Sequence, residues 1–127
     1  MNYYHSNIES LTLANTNFRQ VLYTGVHAQL VLMSLKSGEE IGAEVHDSVD
    51  QFFRLEQGSA KFVIDGQEFE AKADEVVIIP AGASHNVIAT GPEDLKLYTL
   101  YSPPNHPEGT VHVTKAEADA AEAAEHH

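Results

Sequence analysis

Between Phe18 and Tyr101 the chain is cut into short apolar runs by residues that turn a backbone, and this punctuation narrows its fold more than anything else in it. Phe18 to Thr24 stops at Gly25, and the stronger run Ala28-Gln29-Leu30-Val31-Leu32-Met33-Ser34-Leu35 stops at Lys36-Ser37-Gly38. Phe52 to Glu56 and Ser59 to Ile64 flank Gln57-Gly58. Asp65-Gly66 accepts the positive φ values of a type I′ hairpin turn, and Gln67 to Ala71 returns. Glu75-Val76-Val77-Ile78-Ile79 reads as a buried strand delivered to the fixed corner at Pro80. Asn86 to Ala89 and Leu95 to Tyr101 follow, on either side of the loop Thr90-Gly91-Pro92-Glu93-Asp94. About eight short strands at regular turn spacing predict an all-β sandwich or barrel over residues 18–101, not a parallel α/β sheet.

The flanks read differently. Met1 to Asn17 has no clean period and is expected to be an irregular lead-in or an edge strand. Residues 102–109 carry Pro103, Pro104 and Pro107, which remove ladder donors, so this segment is a strap. Thr114-Lys115-Ala116-Glu117 is a capping box, and the Ala-rich acidic tail 114–127 predicts a short C-terminal helix starting at Lys115, with few apolar anchors to dock it. His126 and His127 receive no role. At 127 residues the whole chain, 1–127, fits a single domain with one modest core.

One stretch carries the chemistry. Side chains two apart on a strand share a face, so Glu44 and His46 point together while Val45 and Asp47 point the other way. Gln51 lies five residues past His46, an odd offset, so a turn must intervene, and Asp47-Ser48-Val49-Asp50 supplies the residues that turns favour. Gln51 can then swing back beside His46. His85, set after the Pro80-x-Gly82 corner, is the natural fourth arm. Two imidazoles, a carboxylate and a carboxamide oxygen form a mixed set suited to a divalent first-row metal. Phe53 and Leu55 share the face of Gln51 and line the same interior, whereas Phe52 and Arg54 face outward.

The spacing resembles the cupin signature. Gly38, five residues, Glu44-x-His46, four residues, Gln51, six residues and Gly58 keep the frame of the first cupin motif; Asp74, five residues, Pro80-x-Gly82, two residues and His85 keep the core of the second. Glu44 stands where a His is expected and Gln51 where a Glu is expected, so the carboxylate has moved between ligand positions and the formal charge is unchanged. Asp74 replaces the opening Gly of the second motif and Ala89 its closing Asn. The likeness covers roughly residues 28–101 and implies a double-stranded β-helix, the jelly-roll barrel, of the small single-domain kind often named after mannose-6-phosphate isomerase. It implies Glu44, His46, Gln51 and His85 as ligands of one metal ion, iron first, with manganese, nickel or zinc as alternatives. It also implies a homodimer, since cupins pair through sheet edges and free edges are a liability.

Composition removes other classes. With 7 Lys plus Arg against 19 Asp plus Glu and a net charge of -12, a nucleic-acid partner is disfavoured. The chain has no cysteine, so thiolate catalysis and Cys-based metal sites are excluded. No apolar run approaches the length of a membrane span, and a soluble, cytoplasmic protein with no membrane partner is expected. Two functions compete: a metal-dependent enzyme on a small polar substrate, a sugar or oxygenated acid, of isomerase or dioxygenase type; or a non-catalytic module that binds or senses a small ligand. A dimer with a vestigial pocket is a third. No catalytic residue is assigned, although His106 in the strap could reach over the barrel mouth as an acid or base. Arg19 and Arg54, the only arginines, are expected at the surface or an interface, and His27 and His112 as ordinary strand histidines.

Overall fold

The computed structural model describes residues 2–125, so His126 and His127 lie outside the described residues. Among these residues the chain forms β1 (Arg19–Thr24), β2 (Gln29–Leu35), β3 (Glu44–Val45), β4 (Asp50–Gln57), β5 (Ser59–Ile64), β6 (Gln67–Lys72), β7 (Val76–Ile79), β8 (Ser84–Ala89), β9 (Leu95–Ser102) and β10 (Val111–His112), with helices α1 (Ile8–Ala14) and α2 (Lys115–Glu125). A six-stranded sheet in the order β10-β1-β2-β9-β4-β7 faces a four-stranded sheet in the order β3-β8-β5-β6. Every pairing is antiparallel. The architecture is the jelly-roll barrel with a short C-terminal helix.

Alternation decides what faces inward. On β4 the side chains of Gln51, Phe53 and Leu55 are buried, and cross-strand register sets them beside Tyr101, Thr99 and Leu97 of β9, which in turn face Gln29, Val31 and Met33 of β2. Most of this interior is apolar and dry: Phe53 meets Phe62 of the opposite sheet edge-on, with ring centroids 5.4 Å apart. The end row, Gln29-Tyr101-Gln51, is polar, and the barrel opens above it. Asp65 and Gly66 turn β5 into β6 with φ of 48° and 83°, as a type I′ turn requires.

Two expectations need correction. The segment before Phe18 contains a helix, α1, capped by Asn7, whose side chain accepts from the Ser10 N–H at 3.0 Å. Its apolar residues are too few to show a period; tertiary contact supplies the rest, because the buried Lys96 Nζ donates to the carbonyl of Asn15 and to Ser34 Oγ. β7 is an edge strand, not a buried one, leaving Val76 and Ile78 47% and 64% exposed. Beyond the strap the chain resumes pairing, as β10 joins β1. The C-terminal helix α2 has the few apolar anchors expected, Ala118 being its one buried residue among those described. Its capping box is complete, with the Glu117 N–H donating to Thr114 Oγ1 at 3.1 Å and Glu117 Oε2 accepting from the Val113 N–H at 2.6 Å. Ala118 is buried and Lys115 Nζ donates to the Ile41 carbonyl at 3.2 Å, so α2 lies against the barrel mouth.

Candidate metal centre

Three local devices bring the arms of the site together. β3 pairs with β8 so that Glu44 stands directly across from His85. The turn after His46 is tied to the proline corner, because Asp50 Oδ1 accepts from the Ala81 N–H at 2.9 Å and the His46 carbonyl accepts from the Gly82 N–H at 2.9 Å. Gln51 then enters β4 beside Tyr101, its side chain buried at 3% exposure. All four expected ligands therefore converge on the polar end of the barrel.

His46 is central to the group. Its ring lies 5.4 Å from that of His85, and 6.0 Å from that of Tyr101 in an edge-on contact, centroid to centroid. Its Nε2 is 3.1 Å from Glu44 Oε2, near enough for a charge interaction but poorly aligned, so this buried nitrogen has no hydrogen bond. Gln51 Nε2 donates to Thr99 Oγ1 at 3.1 Å, which leaves Gln51 Oε1 buried without a partner as well. His85 Nδ1 is 3.2 Å from the Ala83 carbonyl, an orientation that fixes the tautomer and leaves Nε2 as the lone-pair nitrogen. Buried polar atoms without partners are rare and costly, so Gln51 Oε1, which has none, and His46 Nε2, which has only the Glu44 carboxylate beside it, are donors of the kind a divalent cation takes. Among the described residues, however, no three His, Asp or Glu side chains are closed into a ready-made metal cluster. The carboxylate of Glu44 is turned onto His46.

Burial alone would raise the Glu44 pKa. The contact with His46, and the charges of His46, Arg19 and His85, outweigh it and hold the carboxyl below its ordinary value of 4.5. Tyr101 is pushed well up by burial and stays a neutral phenol.

Above this group opens a cavity of about 550 Å³ whose polar lining is Glu44, His46, Asn105, His106 and Glu122. His106 does reach over the mouth: its Nε2 is 3.2 Å from the Tyr101 hydroxyl, and burial lowers its pKa to about 3. Arg19 corrects another expectation, being 3% exposed with Nη1 3.2 Å from His112 Nδ1. Its strand puts it on the inward face with Val21, and the same alternation was legible in the sequence. Tyr101 could have been found likewise from Leu97 and Thr99. Glu122 had no signal, because its role depends on where α2 docks.

Comparison with known proteins places this geometry in context. A family model described as "Cupin domain" matches residues 31–101. The protein YrkC of Bacillus subtilis is 51% identical over 122 residues, covering 91% of this chain, which spans 66% of YrkC's length. The protein L612 of Acanthamoeba polyphaga mimivirus is 40% identical over 120 residues, covering 91% of this chain and 74% of L612. The crystal structure of BH2720 from Bacillus halodurans superposes with a TM-score of 0.92 at 45% identity, covering 94% of this chain and 95% of that one.

Proposed function

The chain belongs to the cupin family, and we propose that it is a divalent-metal-binding member acting as an enzyme on a small polar molecule, a sugar or an oxygenated acid, by isomerase- or dioxygenase-type chemistry. The observation that carries the reading is two buried donor atoms in one site, Gln51 Oε1 with no hydrogen-bond partner and His46 Nε2 with only the Glu44 carboxylate 3.1 Å away, beside His85. Those four side chains would hold the ion, with iron favoured by the two-His-one-carboxylate set and manganese, nickel or zinc as alternatives. Such an ion supplies Lewis-acid polarisation of a substrate oxygen. The protein's own residues do the rest. Glu44 brings the single negative charge, Thr99 orients the Gln51 carboxamide, and Ala83 orients His85. The strap and α2 cover the mouth, and neutral His106, held by the Tyr101 hydroxyl at 3.2 Å, stands at the rim as a hydrogen-bonding group for a ligand hydroxyl. A mannose-6-phosphate isomerase activity would rest on analogy of fold alone.

The competing reading, a non-catalytic cupin that holds a small ligand, is favoured by one feature: Glu44 Oε2 lies 3.1 Å from His46 Nε2, so the two side chains can serve as each other's partner. Elemental analysis of protein purified without chelator, followed by oxygen-uptake and isomerase screens on the metal-loaded form, separates the two. Stoichiometric metal with turnover supports the enzyme; a ligand bound without turnover supports the module.

A further inference from the structure

The polar groups that line the cavity above Glu44 and His46 are neutral or acidic: Asn105, His106 and Glu122. We infer, on the reading that an ion occupies the Glu44, His46, Gln51 and His85 set, that the part of the ligand reaching away from that ion is uncharged and hydroxyl-bearing, as in a sugar or sugar acid, and that a phosphate ester or second carboxylate at that end is rejected. Among the described residues no Lys or Arg lines the cavity. The nearby cations stand behind the wall and not on it: Lys115 Nζ lies 2.6 Å from Asp119 Oδ1, and Arg19 is buried with Nη1 3.2 Å from His112 Nδ1, its charge reaching the cavity only through Glu44 and His106. A phosphate or carboxylate is ordinarily met by such cations or by a helix N-terminus. Here the wall beside the strap is Glu122, in the last turn of α2, where the helix dipole adds negative potential.

What the wall offers instead is neutral hydrogen bonding. Asn105 and His106 each carry groups that donate or accept, as a hydroxyl needs. His106 stays uncharged near neutrality because burial lowers its pKa to about 3. Both residues are fixed by Gln29, a fully buried side chain 77 positions away from His106 in sequence. Gln29 Oε1 accepts from the N–H groups of Asn105 at 3.0 Å and His106 at 2.9 Å. Its Nε2 donates to the His106 carbonyl at 2.8 Å and to Thr24 Oγ1 at 3.0 Å. Three of the four hydrogen bonds of the Gln29 side chain go to the strap and the fourth to Thr24 of β1, so Gln29 is a positioning residue for the hydroxyl-binding wall. The phosphorylated hexose suggested by the isomerase naming is the kind of ligand this wall turns away.

The test uses three sugar acids with the same metal-chelating end: gluconate, 6-phosphogluconate and glucarate, titrated calorimetrically into the full metal-loaded chain at neutral pH. Gluconate should bind at least about tenfold tighter than the other two, the scale of one unfavourable charge contact in a partly wet site. Glu122→Gln, on a surface helix, should narrow that gap severalfold by strengthening 6-phosphogluconate. Gln29→Glu should weaken gluconate while leaving metal content unchanged. Equal or tighter binding of 6-phosphogluconate, a gap untouched by Glu122→Gln, or no gluconate binding to metal-loaded protein overturns the inference. Failure of the metal reading is seen separately, as protein that takes up no ion. Sorbitol against sorbitol 6-phosphate on that metal-free protein would then still read the selection, and no preference for sorbitol would end it.

Discussion

Glu44 and His46, two positions apart on the arm that opens with β3, face each other across 3.1 Å from Oε2 to Nε2. Two side chains expected to converge on an ion thus converge on each other. The contact lowers the Glu44 pKa against the opposing effect of burial, and the same His46 nitrogen that touches Glu44 is left without a hydrogen bond. A cation placed between them would be held by both.

Acid should therefore weaken the metal-free protein in two stages. His106 has a folded pKa of about 3 against an ordinary 6.5, so the unfolded chain takes up protons first and stability begins to fall below about 6.5. Glu44 has a folded pKa below 4.5; its contribution is fully present above 4.5 and is lost as the pH falls through the lowered value. Urea midpoints between pH 7 and 4 should decline in wild type, decline less steeply in His106→Asn above pH 5, and differ from Glu44→Gln progressively less below pH 4.5. A wild-type midpoint flat between pH 7 and 5 contradicts the His106 shift, and a difference from Glu44→Gln that does not shrink below pH 4.5 contradicts the Glu44 shift.

Gly58, the last residue of the first motif, should be irreplaceable for a steric reason. Its φ is +84°, and a Cβ there would lie 2.9 Å from the Asp94 carbonyl oxygen and 3.2 Å from Leu95 Cα. Gly58→Ala combines left-handed strain with a backbone clash and should cost about 2–4 kcal/mol. Gly66, with φ +83° and open space around its Cβ position, faces the strain alone, so Gly66→Ala should cost about 1 kcal/mol. Chemical denaturation of the two variants checks the order.

Pairing of two copies stays a proposal, and the edge strand β7 is the surface to which it points. Ile78 is 64% exposed and Val76 47% exposed on a strand with a free ladder edge. Sedimentation equilibrium should give a dimer for wild type and a monomer for Ile78→Lys, with the barrel's circular dichroism unchanged. A monomeric wild type removes the proposal.

Much of this molecule was readable from its residues, and the misses share a cause. The hairpin at Asp65-Gly66, the inward face of Gln51, Phe53 and Leu55 and the capping box at Thr114 all follow from local rules of period, turn and cap. What escaped depends on tertiary contact. Whether Val76 and Ile78 lie at an edge is set by the order of strands in the sheet, not by their own hydrophobicity. The helix at Ile8–Ala14 is too short for a periodic signal and is pinned by Lys96. The role of Gln29, an amide within an apolar strand, was missed because its partners Asn105 and His106 lie 76 and 77 positions further along the chain.

The metal account stands or falls on stoichiometry. Wild-type protein, purified without chelator and dialysed, should carry about one divalent ion per chain by elemental analysis, consistent with a single set of four donors. His46→Ala and His85→Ala should carry none. Gln51→Ala should bind more weakly, and Gln51→Glu more tightly while destabilising the metal-free form, because it puts a second carboxylate into a buried site beside Glu44. Metal retained equally by His46→Ala, His85→Ala and wild type, or absent from wild type after generous loading, contradicts the assignment.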